Sequence, residues 1–278
     1  MKKVTLVITL LVLAFMSARI VAQEEVVDRV TVELTEPTKP CNINVSLMSG
    51  SITVTGYDGQ EVLVEAKTRM KKLSEEGEPS KTKGGMFRIP VNSSSLTVEE
   101  YKNRIEIGTG SWKRGSDLYL RVPTNSHLNL SCVQDGDIQV ENIIGDLEVN
   151  NVNGSVTLLN ITGSVVGHAL NGELKVVFTG INPEKAMSFS SMNGDIDVTF
   201  PASLKCNVKI KNNMGDVYSD FEIQKVDKPR EMLEENKRGR DGKYRVKIES
   251  AFYGGINGGG PEYHFSNFHG DIFIRQGN

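Results

Sequence analysis

Five aspartates stand directly after glycines, at Asp137, Asp146, Asp195, Asp216 and Asp271. Acids repeated at one place in a pattern suggest two chemistries. The first is calcium binding, which needs hard oxygens converging on one point. Nonapeptide calcium rolls carry their acid two residues after glycine in Gly-Gly-x-Gly-x-Asp, so that turn carbonyls and the carboxylate meet. Here the acid follows glycine directly, and Ser155, Ser164 and Glu173 fill the same slot elsewhere. Asp and Ser interchange where the task is hydrogen bonding at a corner. The second chemistry is glycoside cleavage by two carboxyls about 5 to 9.5 Å apart, and no distinguishing pair stands out. The expectation is corner chemistry, with no metal and no cofactor.

Other reactive residues point the same way. His127, His168, His264 and His269 have no companion at metal-ligand spacing. A Gly-x-Ser-x-Gly elbow is missing. The glycine run Gly254 to Gly260 has no Lys-Ser/Thr after it and reads as a tight crossover instead of a phosphate cradle. Trp112, in a Gly/Ser loop, suits either a ligand platform or packing over a strand edge. Cys41, Cys132 and Cys206 are too few for a disulfide framework and read as small buried side chains, with a Cys132 to Cys206 bridge as the alternative.

The elements that hold these residues repeat. Gly136, Gly145, Gly154, Gly163 and Gly172 are nine residues apart. Two positions after each comes Ile138, Leu147, Val156, Val165 or Leu174, and four after comes Val140, Val149, Leu158, Gly167 or Val176, an inward-facing strand pattern. The seventh place holds Ile143, Val152, Ile161, Leu170 and Thr179, preceded by Asn142, Asn151, Asn160 and Ala169. Nine is odd, so a corner at the Asn position must reset the alternation. Identical phrasing favours coils stacked like over like, about 4.8 Å apart. Glycine at a corner takes backbone angles costly for other residues. The expected corner residues are Gly136, Gly145, Gly154, Gly163, Gly172, Gly194, Gly215 and Gly270. The intervals of 22 residues to Gly194 and 21 to Gly215 suit a coil of two strands. The fold class is therefore all-β, a parallel β-helix or β-solenoid of short two-strand coils, right-handed.

Outside the regular body, 27–35, 43–47, 50–56, 61–66 and 118–123 read as strands, with short strands at 87–90, 95–98 and 104–107. Surface insertions are expected near 69–117 and 226–243, the second as a short exposed helix or a solvated loop. The last repeat phrase, at 268–274, suggests that the C-terminus closes the body.

Residues 1–22 read as a signal peptide: Met1-Lys2-Lys3, a 15-residue apolar run from Val4 to Ala18, and Ala22 before Gln23-Glu24-Glu25. The run is shorter than the about 20 residues of a membrane span. Cleavage leaves 23–278 as one domain, not membrane-spanning, in the periplasm or at the cell surface or outside. Losing Lys2, Lys3 and Arg19 takes the formal charge from −3 to about −6, which argues against a nucleic-acid partner.

Ser49-Gly50-Ser51-Ile52-Thr53-Val54-Thr55-Gly56-Tyr57-Asp58, the serial Asn/Asp-Gly-Asp-Ile phrases and the closing Ile256-Asn257-Gly258-Gly259-Gly260-Pro261-Glu262 resemble a family of exported bacterial envelope proteins, a domain of unknown function regarded as candidate adhesins. The likeness runs over roughly 27–278. It implies a β-solenoid, export and no established enzymatic activity, and it supplies no catalytic residues. The expected function is an adhesin-like binding or envelope-structural protein and not an enzyme, with a cell-surface or envelope protein or a glycan as partner. The alternatives are a carbohydrate-active β-helix enzyme and an accessory protein of envelope-stress sensing.

Overall fold

The computed structural model describes residues 27–69, 96–109, 115–227, 232–235, 245–248 and 251–277. The signal-peptide reading, the 87–90 strand and Trp112 lie outside them. Among the described residues every regular element is a β-strand. Two strands separated by a glycine corner make one coil. Val156 pairs in parallel with Ile138, and Leu174 with Val156, each 18 residues on; Ile196 pairs with Leu174, 22 residues on. The long strands Ile138–Asn153 and Val156–Asn171 bend through a corner and serve both faces of the stack. The chain is the all-β solenoid its repeats imply.

Side chains alternate because the strand period is two. Ile138, Val156, Leu174, Ile196 and Ile272 form one inward row, fully buried, and Leu147 and Val165 sit in the facing one. The core is the slab between the two faces. Toward the C-terminal end it turns aromatic: Phe178 stacks on Phe200 at 5.2 Å and Phe189 on Phe265 at 5.1 Å between ring centroids. Tyr263 is buried there, and burial pushes its phenol pKa up to about 12.

At the two ends of the stack the coils do not follow chain order. Cys41–Ser49 and Ile52–Tyr57 form a coil that lies between Arg104–Thr109 with Ser116–Pro123 on one side and Ser126–Gln134 with the start of Ile138–Asn153 on the other. At the far end Glu262–His269 and Ile272–Gln276 lie between Met187–Asn193 with Ile196–Phe200 and Cys206–Met214 with Val217–Ser219. The final phrase is therefore an inner coil and does not close the body. The coil of Gly215 rests on that of Gly270, not on that of Gly194, so the 21-residue interval is no coil length. Every coil carries the same rows, so the phrase cannot state which coil is its neighbour. Antiparallel strands cover the ends: Leu96–Tyr101 on Arg104–Thr109, Glu61–Thr68 on Ser116–Pro123 with Val27–Glu33 on Glu61–Thr68 in turn, and Phe252–Ile256 on Cys206–Met214. They are short or charged, which suits an exposed edge.

The first expected insertion takes in part of the body. Residues 96–109 and 115–117 belong to the body, because Ile105 and Ile107 extend the inward row of Ile43 and Val45. Within 226–243, Met232–Glu235 pairs antiparallel with Arg245–Ile248, so this part is a strand of a hairpin, neither helix nor loop.

The phase reset holds at alternate corners only. Asn142 and Asn160 take φ of 61° and 55°, and the following Ile143 and Ile161 return to the core. Asn151 and Ala169 keep inward strand geometry, so Val152 is only half-buried and Leu170 is 43% exposed. The true period is 18, with two unlike corners.

Two stability predictions follow the rows. Val156→Asp puts an unpaired carboxylate in the core and should cost about 3 kcal/mol or more, while Ser155→Asp should cost under about 1 kcal/mol; thermal unfolding that finds the two variants equal would refute the inward face. Gly154 has φ of 153°, and a Cβ there would lie 2.1 Å from the Gly136 carbonyl oxygen, whereas Gly258, at φ 90°, has nothing within 4 Å. Gly154→Ala should therefore lower the melting temperature at least about twice as far as Gly258→Ala.

Candidate binding surface

The corner residues form two columns. In the first, Gly50, Gly136, Gly154, Gly172, Gly194, Gly270 and Gly215 follow one another, each backbone so close to the previous carbonyl that a Cβ would lie within 2.5 Å of it. Gly145 and Gly163 occupy the opposite corner, where a Cβ on Gly163 would meet the Gly145 oxygen at 2.0 Å. The structure thus divides Gly136, Gly154, Gly172, Gly194, Gly215 and Gly270 from Gly145 and Gly163.

Beside the first column runs a ladder of carboxylates. Asp137 Oδ1 accepts the Ser155 backbone N–H at 2.8 Å, Asp195 Oδ1 that of Asp271 at 2.8 Å, and Asp271 Oδ1 that of Asp216 at 2.8 Å. Each acid ties its corner to the next coil. Asp117 does the same for Ser51 and also pairs with Arg69 at 2.6 Å. Burial pushes the Asp117 carboxyl up, but Arg69 and the Ser51 donors outweigh it and hold it below the usual carboxylate range. Asp146 belongs to the other corner and differs. It accepts the Ser164 hydroxyl at 2.6 Å and the Lys185 ammonium at 2.5 Å, while its own N–H donates to His127 Nδ1 at 3.0 Å. That donation makes Nδ1 the unprotonated nitrogen of His127. Burial raises the Asp146 carboxyl, and Lys185 and Ser164 bring it below its ordinary value. Among the described residues no group of three or more His, Cys, Asp or Glu is arranged to hold a metal ion.

Inside the glycine column runs a buried polar row that the repeats did not reveal. Asn151, Ser191 and Asn267 donate to the carbonyls of Gly136, Gly172 and Gly194 at 2.9, 3.2 and 2.9 Å, and Asn212 donates to that of Gly270 at 3.2 Å. These carbonyls need partners because burial without one is costly. Asn151 thus caps a carbonyl instead of supplying a turn conformation. Its signal was the alternation itself, since Ala169 at the equivalent place could not favour a left-handed corner.

The cysteines are buried and free. Cys41 contacts Ser126 Oγ at 3.1 Å, and Cys132 donates to the Gly50 carbonyl at 2.9 Å. Burial raises all three thiols, that of Cys206 to about 12. Cys132 and Cys206 have four coils between them, about 24 Å at the usual strand spacing. A disulfide requires Cα atoms within about 7 Å, so the 132–206 bridge is excluded.

The exposed counterpart of the glycine corner is amphipathic. Because Asn151 and Ala169 stay inward, Val152, Leu170 and Met192 project outward in three stacked coils, and Phe268 continues the line. Leu170, Met192 and Phe268 are 43%, 45% and 38% exposed. Two residues earlier in each strand stand Asn150, His168 and Ser190, paired across the coils, with His168 Nδ1 hydrogen-bonded to Ser190 Oγ. These six line a shallow cleft with backbone floor from Asn151, Ala169 and Ser191. On the far side of the ridge, Asn171 donates to Asn153 at 3.0 Å and Asn193 to Asn171 at 2.8 Å. His264 lies on the outer face beside Ser188, and His269 meets the Phe268 ring edge-on at 4.8 Å. The nine-residue phrase hides this surface, since it makes Val152 and Leu170 equivalent to Ile143 and Ile161.

Two solved structures are similar in outline. A candidate cell adhesion protein from Clostridium sporogenes aligns over 91% of this chain and 100% of its own, at 12% identity and a TM-score of 0.46. A candidate adhesin from Bacteroides fragilis aligns over 90% and 97%, at 11% identity and a TM-score of 0.39. No curated protein sequence matches the chain. The Toastrack DUF4097 family model matches residues 15–251, most of the chain and nearly the whole stack of glycine corners, so this protein is a member of the Toastrack DUF4097 family.

Proposed function

We propose that the protein is exported and acts as an adhesin-like binding component of the cell envelope or exterior, not as an enzyme. In this reading residues 1–22 are removed and 23–278 form one domain in the periplasm or at the cell surface or outside. The carrying observation is the apolar ridge of Val152, Leu170 and Met192, held outward between two polar rows that contain no Asp, Glu, Lys or Arg. An ordered, solvent-facing apolar line on a rigid sheet is a feature that association would cover. The carboxylates that suggested chemistry are engaged elsewhere, with Asp137, Asp195 and Asp271 bonded to backbone N–H groups. Family membership and the repeat architecture are compatible with a scaffold that presents a surface.

The secreted protein should begin at Gln23 by mass spectrometry, and, labelled, it should co-sediment with isolated cell envelopes. Leu170→Asp should reduce that co-sedimentation about tenfold with an unchanged melting temperature. A cytoplasmic, uncleaved chain, or envelope binding indifferent to Leu170→Asp, would refute the reading. Calcium gives a separate check. Carboxylates already bonded to backbone donors gain nothing from the ion, so thermal unfolding in excess chelator and in excess calcium should agree to within a few degrees. A difference above about 10 °C would correspond to a ligand that stabilises the fold by a few kcal/mol and would restore metal-dependent adhesion.

A further inference from the structure

The geometry points to an uncharged linear glycan as the ligand of the cleft formed by Asn150, His168 and Ser190 with the ridge of Val152, Leu170 and Met192, its chain lying along the stacking axis. This inference rests on the reading of that surface as a binding site and names its ligand class.

Charge decides first. A quarter of the chain is Asp, Glu, Lys or Arg, at 24%, yet none of these residue types lines the cleft. The far flank of the ridge is the amide ladder of Asn153, Asn171 and Asn193, also neutral. A polyanion or a basic peptide would find no counter-charge here, and its desolvation would go uncompensated. A strand-like peptide would need an open backbone edge. The strands under the cleft are paired on both sides: Val156–Asn171 with Ile138–Asn153 and with Met187–Asn193, and Met187–Asn193 in turn with Glu262–His269. An acyl chain would bury its whole circumference, but the ridge is one side chain wide with polar groups on either side.

A neutral sugar chain matches what remains. Pyranose rings carry hydroxyls around their rim and C–H groups on their faces. The amide of Asn150, the imidazole of His168 and the hydroxyl of Ser190 supply both donors and acceptors, as hydroxyl groups require. Val152, Leu170 and Met192 supply the apolar wall for the C–H face, and Phe268 extends it to an aromatic ring one coil further. The units of a linear glycan advance by a distance close to the about 4.8 Å strand spacing, so successive coils offer similar contacts to successive sugars. Contacts of this kind, shallow and repeated, give modest affinity per unit that grows with chain length.

The test is isothermal titration of the full mature protein with cellohexaose, xylohexaose and mannohexaose, with hexagalacturonate as the charged counterpart. At least one neutral hexamer should bind, and hexagalacturonate at least about tenfold more weakly. His168→Ala and Met192→Ala should each weaken the neutral hexamer about tenfold with melting temperatures unchanged. Leu170→Gln serves as a further variant if either fails to fold, and should have the same effect. Three outcomes overturn the inference: no neutral hexamer binds, the charged hexamer binds equally well, or binding ignores all three substitutions. If no hexamer binds while Leu170→Asp still abolishes envelope co-sedimentation, the ligand is a protein or another envelope component, and the glycan inference fails while the adhesin-like reading stands. If both signals are missing, both fail.

Discussion

The close approach of backbones at the glycine corner is the constraint on which the rest depends. From Gly50 to Gly215, each corner leaves no room for a Cβ before the carbonyl of the coil beneath. That contact fixes the height of every coil and the phase of every row, because a strand beginning two residues after a fixed glycine has its inward positions determined. The carbonyls so enclosed then need donors, which Asn151, Ser191, Asn267 and Asn212 provide from within. The outward neighbours of these residues are Val152, Met192, Phe268 and Asn213, so the position of the ridge follows from the satisfaction of the corner.

The carboxylate ladder illustrates how one residue type can look catalytic and be architectural. Asp137, Asp195 and Asp271 each direct an oxygen to the N–H of the neighbouring coil. A charged acceptor makes a stronger bond to a backbone donor than a neutral one does. Ser can stand in the same slot where the ladder does not need an acceptor at every step, as at Ser51 and Ser155. Asp146, on the other corner, has the Gly163 turn and Ser164 on one side, while on the other the neighbouring coil places Ser126 and His127 where the first column has glycine, and Lys185 reaches its carboxylate.

Much of this was legible in the residues. The rows through Ile138, Val156 and Leu174 could be read because stacked coils repeat like over like, and the glycines because nothing else fits the corner. What escaped did so for definite reasons. A nine-residue phrase hides an 18-residue period: the left-handed backbone of Asn142 and Asn160 marks one corner and is missing at Asn151 and Ala169, so Leu170 looked equivalent to Ile161 although it leaves the core. The stacking order escaped because a phrase shared by all coils carries no address. The amphipathic cleft depends on both, and no motif marks it.

The interleaving of coils also bears on how the chain reaches this state. In a solenoid whose coils stack in order, structure can grow from one end as each new coil docks on the last. Here the coil of Cys41–Ser49 acquires its partner Ser126–Gln134 only after some eighty further residues have emerged, and Cys206–Met214 waits for Glu262–His269. Contacts of such sequence separation are slow to form, since the loop must close before they yield any stabilisation. Coils from Ser126 to Phe200 stack in order, so it is completion of the two ends that is deferred, the C-terminal end until nearly the whole chain is present. For a chain exported as proposed, late completion of both ends favours passage before the fold is closed.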